Sequence, residues 1–116
     1  MTQAPEPTIA CNLAALTAEE RRQRAELAAQ IRSLSVESAE HDDGYALRLA
    51  CEPGLARHVL EWILLESRCC PFLRLALVLE PEGGPLWVRL GGAPGVKEFL
   101  KGEGLGTAST RQSCRC

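Results

Sequence analysis

Asp43-Gly44 constrains this chain more than any other pair of residues. It separates "SVESAE" (35–40) from "YALRLACE" (45–52), where Tyr45, Leu47 and Leu49 alternate with smaller or polar residues. An Asp-Gly step suits a tight hairpin turn, so residues 35–52 are predicted as strand, turn (41–44) and antiparallel strand. A second hairpin is predicted over 72–92, "FLRLALVLEPEGGPLWVRLGG", folded around Glu82-Gly83-Gly84-Pro85.

Each hairpin follows a helical pattern. In "LTAEERRQRAELAAQIRSL" (16–34), Thr17 and Glu20 have capping-box spacing, and Leu27, Ile31 and Leu34 recur at helical intervals. Pro53 suits the first turn of a helix over 53–69, whose apolar face carries Leu55, Val59, Trp62 and Ile63. That helix must stop against Pro71, because the residue before a proline disfavours the α region. "TIACNL" (8–13) is a candidate first strand, and "PGVKEFLKG" (94–102) a short last helix with Gly102 as its stop. The predicted order is (β)αββαββα. Two helices on one face of an antiparallel sheet would bury every apolar stripe, which makes this an α+β two-layer sandwich. Residues 1–7 are expected to be a disordered lead-in, 8–103 a single domain, and 104–116 a flexible tail containing cysteines.

Composition removes several function classes. The chain has 116 residues, a net charge of −2, and Lys and Arg scattered among Asp and Glu. No basic stripe faces a phosphate backbone, and two Trp, two Phe and one Tyr make no stacking platform, so no nucleic-acid partner is expected. The N-terminus lacks a signal-peptide pattern, and "WILL" and "LALVL" are too short to span a bilayer. The expected location is therefore the cytoplasm, with no membrane partner.

That location bears on the six cysteines, Cys11, Cys51, Cys69, Cys70, Cys114 and Cys116. A reducing compartment argues against a disulfide framework. Cys69 and Cys70 are poorly placed to bridge each other, since adjacent Cα atoms lie about 3.8 Å apart and disulfides favour about 4.4–6.8 Å. Free thiols, metal ligands or redox groups are the expected roles. At a helix C-terminus, with Glu66 one turn earlier on the same side, the dipole and the carboxylate both oppose a thiolate. Arg68 and Arg74 would offset this only by folding inward. A soft cation such as Cu(I), Zn(II) or Hg(II) overcomes the difficulty, because coordination itself deprotonates the thiol.

Cys11 and Cys51, at the ends of predicted strands, are candidates to complete a three-coordinate site; each is equally read as a small apolar filler. Cys114-Arg115-Cys116 places a second dithiol on the tail, suited to passing a metal to or from the first. Glu66 is either an acid paired with an arginine or a group that tunes the ligands. His58 and His41 lack the partner spacing of a zinc site, and the Gly-Gly pairs lack the pattern of a phosphate loop.

The motif "ESRCCPF" (66–72), with "IACNLAALTAEERR" near the start and "GGPLWVRLGGAPGVKEFL" near the end, resembles small bacterial proteins with an E-x-x-C-C-P-F core associated with mercury-resistance gene clusters and MerR-type regulators. The similarity runs over roughly residues 8–101. The resemblance implies that Cys69 and Cys70 are the principal thiols and Cys11 a supporting one, and it raises Hg(II) above Cu(I) and Zn(II). The tail pair has no counterpart in it. The expected function is a thiol-based Hg(II) binding protein that buffers the ion or hands it to a mercuric reductase or MerR-type regulator. The alternatives are a dithiol enzyme, either an oxidoreductase or an organomercurial lyase-like protein with Glu66 as proton donor, and an interaction module with inert cysteines. A dimer through the exposed face of the sheet is compatible with the pattern and has no direct signature in it.

Overall fold

Helix α1 (Ala18–Leu34) begins where the capping box places it in this computed structural model, which describes residues 9–50 and 52–105. The Thr17 hydroxyl accepts from the Glu20 N–H at 3.1 Å, and the Glu20 carboxylate accepts from the Thr17 N–H at 2.9 Å. Leu34 leads straight into β1 (Ser35–His41), with Ser35 serving as both helix cap and first strand residue. Asp42 and Asp43 make the turn, and β2 (Gly44–Leu49) returns antiparallel. Gly44 thus lies inside the strand. Its small size is needed for another reason than the turn: it faces Gly91, and a Cβ there would strike the Leu90 carbonyl oxygen.

Helix α2 (Leu55–Cys69) starts two residues later than predicted. Gly54 precedes it at φ 76°, a left-handed value that reverses the chain, so Pro53 sits in the entry turn and not in the first helical turn. The helix buries Leu55, Val59, Trp62, Leu65, Glu66 and Cys69, a spacing of three and four along one stripe. Ile63, expected in the core, falls at the edge of that stripe and is half-buried, while Leu65 takes the central place. Strands β3 (Leu73–Leu79) and β4 (Leu86–Gly92) form the second hairpin, and α3 (Val96–Gly102) closes the domain.

The sheet order is β1-β2-β4-β3, antiparallel throughout, so the two hairpins join through their second strands. Register aligns Leu47 with Val88 and Leu77, and Tyr45 with Leu90 and Leu75. These rows pack with the buried faces of the helices into one hydrophobic core. The alternate positions, Arg48 with Trp87 and Val78, and Ala46 with Arg89 and Ala76, form the other face. The α+β two-layer architecture with helices on one face is therefore as the sequence predicts, apart from its first strand.

That strand does not form over the described part of 8–13. Residues 9–12 are irregular and Leu13–Ala15 make a 3-10 turn. The Asn12 side chain accepts from the Ala14 N–H, a local bond that competes with strand pairing. At the other end, Leu105 packs against the core two residues beyond the predicted boundary at 103. Among the described residues, no helix is long and apolar enough to cross a membrane.

Candidate functional site

Pro71 stops α2 and leaves Cys69 as its last residue, with Cys70 as the C-cap. The Cys70 N–H donates to the Glu66 carbonyl at 2.7 Å, and the Leu73 N–H to the Cys70 carbonyl at 3.1 Å. Across this helix end lies the segment before α1. The Asn12 N–H donates to the Cys69 carbonyl at 2.6 Å, Arg68 reaches the Ala15 carbonyl at 3.1 Å, and Cys11 lies beside Cys70. Their Cα atoms are 4.5 Å apart and their sulfurs are joined as a disulfide. This corrects the expectation that the thiols are unbridged. The spacing argument covers only neighbours in sequence, and Cys11 is brought in by the fold. As predicted, Cys69 and Cys70 do not bridge each other; Cys69 is a free thiol.

The three sulfurs differ in depth. Cys11 is exposed, whereas Cys69 and Cys70 are fully buried. Cys69 Sγ lies 3.6 Å from Cys70 Sγ and donates to the Glu66 carbonyl at the same distance. The Cys11 and Cys70 sulfurs and a Glu66 carboxylate oxygen all lie within 4.8 Å of one another, the one such ligand-type group among the described residues. Cys51, Cys114 and Cys116, named as candidates from the sequence, lie outside the described residues. His58 is an exposed histidine 3.5 Å from Gln30 Nε2, and His41 ends β1 opposite Gly44; neither joins the group.

Glu66 is a buried acid, only 6% exposed. Arg24 of α1 grips it with two bonds, Nε to Oε2 at 2.7 Å and Nη2 to Oε1 at 3.0 Å. Arg24 is the site residue that the motif does not reveal. It sits three residues before Leu27 and seven before Ile31, on the stripe that α1 buries, and an arginine there needs an acid on the facing helix. The two arginines considered from sequence turn elsewhere. Arg68 donates to the Glu20 carboxylate and to the Ala15 carbonyl, while exposed Arg74 approaches Asp43 at 3.7 Å.

These surroundings decide the state of the free thiol. Burial pushes the Cys69 thiol up, the Glu66 carboxylate pushes the same way, and Arg24 offsets only part of the rise. Cys69 therefore stays protonated at neutral pH and is a poor nucleophile.

Beside the cluster opens a cavity of about 270 Å³, bounded by α1, α2, α3 and the sheet. Cys11, Arg24 and Glu66 line one part of it, and Ile31, Leu47, Val88 and Leu90 line another. Trp62 also lines it, and its indole Nε1 is buried with no hydrogen-bond partner among the described residues. No protein-family model, curated protein or solved structure matches this chain.

Proposed function

We propose that this is a cytoplasmic thiol protein that captures Hg(II) with Cys11 and Cys70 and holds it for transfer. The observation that carries the proposal is the grouping of the Cys11 and Cys70 sulfurs with a Glu66 oxygen inside 4.8 Å, with a third sulfur 3.6 Å from Cys70. The binding form is the reduced one, in which the Cys11–Cys70 bond has accepted two electrons from a thiol reductant of the cytoplasmic kind. Two thiolates then balance a divalent soft ion, and Arg24 balances Glu66, so the occupied site carries no net charge. That matters because an uncompensated charge in a buried site is costly. Three thiolates around Zn(II) would leave one negative charge over, which favours a two-coordinate ion in the same place. The resemblance of "ESRCCPF" to proteins of mercury-resistance clusters points to the same ion.

Exposed Cys11 meets the incoming ion first, and buried Cys70 completes the clamp. Cys69, a protonated thiol 3.6 Å from Cys70, flanks the clamp without adding charge to it. Cys114 and Cys116 supply a second dithiol through which the ion passes on to a reductase or a MerR-type regulator. The test is titration of reduced protein with Hg(II), followed by native mass spectrometry. The first ion should bind with loss of two protons, and the total stoichiometry should fall by one ion in Cys11→Ala/Cys70→Ala, the tail dithiol keeping its own. Unchanged binding by that variant overturns the proposal.

A dithiol oxidoreductase is the second reading, supported by the 3.6 Å approach of Cys69 to the disulfide. It requires a Cys69 thiolate, which burial opposes. Alkylation of Cys69 that already proceeds at its plateau rate at pH 7 would favour it over metal capture.

A further inference from the structure

A bare ion needs only the space between its sulfurs, yet a chamber of about 270 Å³ opens from Cys11. Its aliphatic wall is built from Ile31, Leu47, Val88 and Leu90, contributed by α1 and the two central strands. An apolar cavity of about 150 Å³ holds a benzene molecule; this chamber is larger, with Arg24, Arg32, Glu66 and Glu103 lining it beside the aliphatic wall, so a ring would rest on the aliphatic part. Trp62 also lines the chamber and is 7% exposed, so its ring offers a bound aryl group an aromatic surface to pack against.

We infer that the cavity is a binding site for the organic group of an arylmercury cation, with mercury on Cys11. The inference rests on the Hg(II) reading above and extends it from the bare ion to an organometal. The step is ligand exchange: Cys11–SH and Ar–Hg–X give Cys11–S–Hg–Ar, with release of a proton and X⁻. The carbon–mercury bond is kept and nothing is oxidised or reduced. The charge balance is that of the bare-ion site, since one thiolate neutralises the monocation beside the Arg24–Glu66 pair.

The test uses the reduced full chain and three probes: phenylmercuric acetate, methylmercuric chloride and mercuric chloride, each in competition with dithiothreitol. The protein should prefer phenyl over methyl by at least tenfold more than glutathione does in the same buffer. Ala28→Leu, which places a larger side chain on the cavity wall, should cancel that preference while leaving Hg(II) affinity within twofold. A phenyl preference no greater than that of glutathione overturns the inference without any variant, whether or not Ala28→Leu folds. A preference that survives in folded Ala28→Leu also overturns it. Failure of the wild type to bind Hg(II) at all overturns the earlier proposal as well, so the two failures are distinguishable.

Discussion

The two helix–hairpin units have the same order of elements and differ at one joint. In the first, α1 runs into β1 with no intervening residue, Leu34 being followed by strand residue Ser35. In the second, Cys70, Pro71 and Phe72 intervene between the end of α2 and the start of β3. The hairpins differ in the opposite sense. The second pairs without interruption from Leu73–Gly92 to Leu79–Leu86, whereas the first carries a bulge between Ser35 and Glu37. At both joints the last helical carbonyl accepts from a distant N–H: Leu34 from Ala50 at 2.7 Å, and Cys69 from Asn12 at 2.6 Å. What differs is the segment met: Leu34 meets the end of the neighbouring strand, whereas the break at Pro71 sets Cys69 and Cys70 against the segment that carries Cys11. The lesson is that the site is a product of the joint and not of either element it connects.

The contrast is open to attack, first and most strongly through the disulfide. Cys11 and Cys70 are 59 residues apart, and a cross-link of that span stabilises a chain by about 4 kcal/mol through loop entropy. Reduction should lower the urea midpoint accordingly, and one equivalent of Hg(II) should restore most of it by bridging the same two sulfurs. A midpoint indifferent to reductant would show that the second joint is no stronger than the first.

Next in size is the buried ion pair. Glu66→Ala leaves Arg24 without its acid at a site where the two side chains are 7% and 23% exposed, and should cost about 3 kcal/mol. The matching change in the first unit, Glu37→Ala, removes a partner of Arg48 that is 52% exposed, and should cost under about 1 kcal/mol. Equal losses in urea unfolding would erase the distinction between the buried pair that ties α1 to α2 and the exposed pair inside the first hairpin.

Smaller again is the cap that only α1 possesses. Thr17→Ala removes the hydroxyl that accepts from Glu20 N–H, and the expected loss is about 1 kcal/mol. In α2 the cap position is Gly54, which makes no side-chain bond, so the first helix should fray earlier in the variant while the second is unaffected. Hydrogen exchange at the first turns of both helices would read this directly.

The smallest effect is in acid. The Arg68 guanidinium holds the Glu20 carboxyl at about 2, well below its ordinary 4.5. A lowered folded-state value means the contribution is complete above about pH 4.5 and fades as pH falls toward 2. Because this pair lies at the surface, Glu20→Gln should flatten only the lower end of the stability–pH curve. An unchanged curve between pH 4.5 and 2 would remove Glu20–Arg68 as a tie between α1 and α2.

What the sequence discloses is what neighbouring residues decide among themselves. Thr17 with Glu20, the Asp43 turn and the Pro71 stop act within four positions, and each appears in the structure. The pairing of β2 with β4 has no such local sign, since it depends on which hairpin edges meet after the helices have packed. The first strand is misread because "TIACNL" has strand composition but also Asn12, whose side chain supplies a turn instead. The meeting of Cys11 with Cys70 and the role of Arg24 are likewise non-local. Only Arg24 leaves a trace, as a cation on the buried face of α1. The resemblance around "ESRCCPF" implies only a supporting thiol at Cys11; the bond to Cys70 is visible in the structure alone.

The depth of Cys69 has a consequence for the durability of the protein. With Cys11 and Cys70 joined, the one free thiol among the described residues is the one that solvent cannot reach, and burial keeps it protonated. Peroxide acts on exposed thiolate, so the cluster presents it with almost no substrate. Under oxidising conditions Cys11, Cys69 and Cys70 are held in a form that a single dithiol reduction reopens, with none of these three sulfurs lost to sulfinic or sulfonic acid.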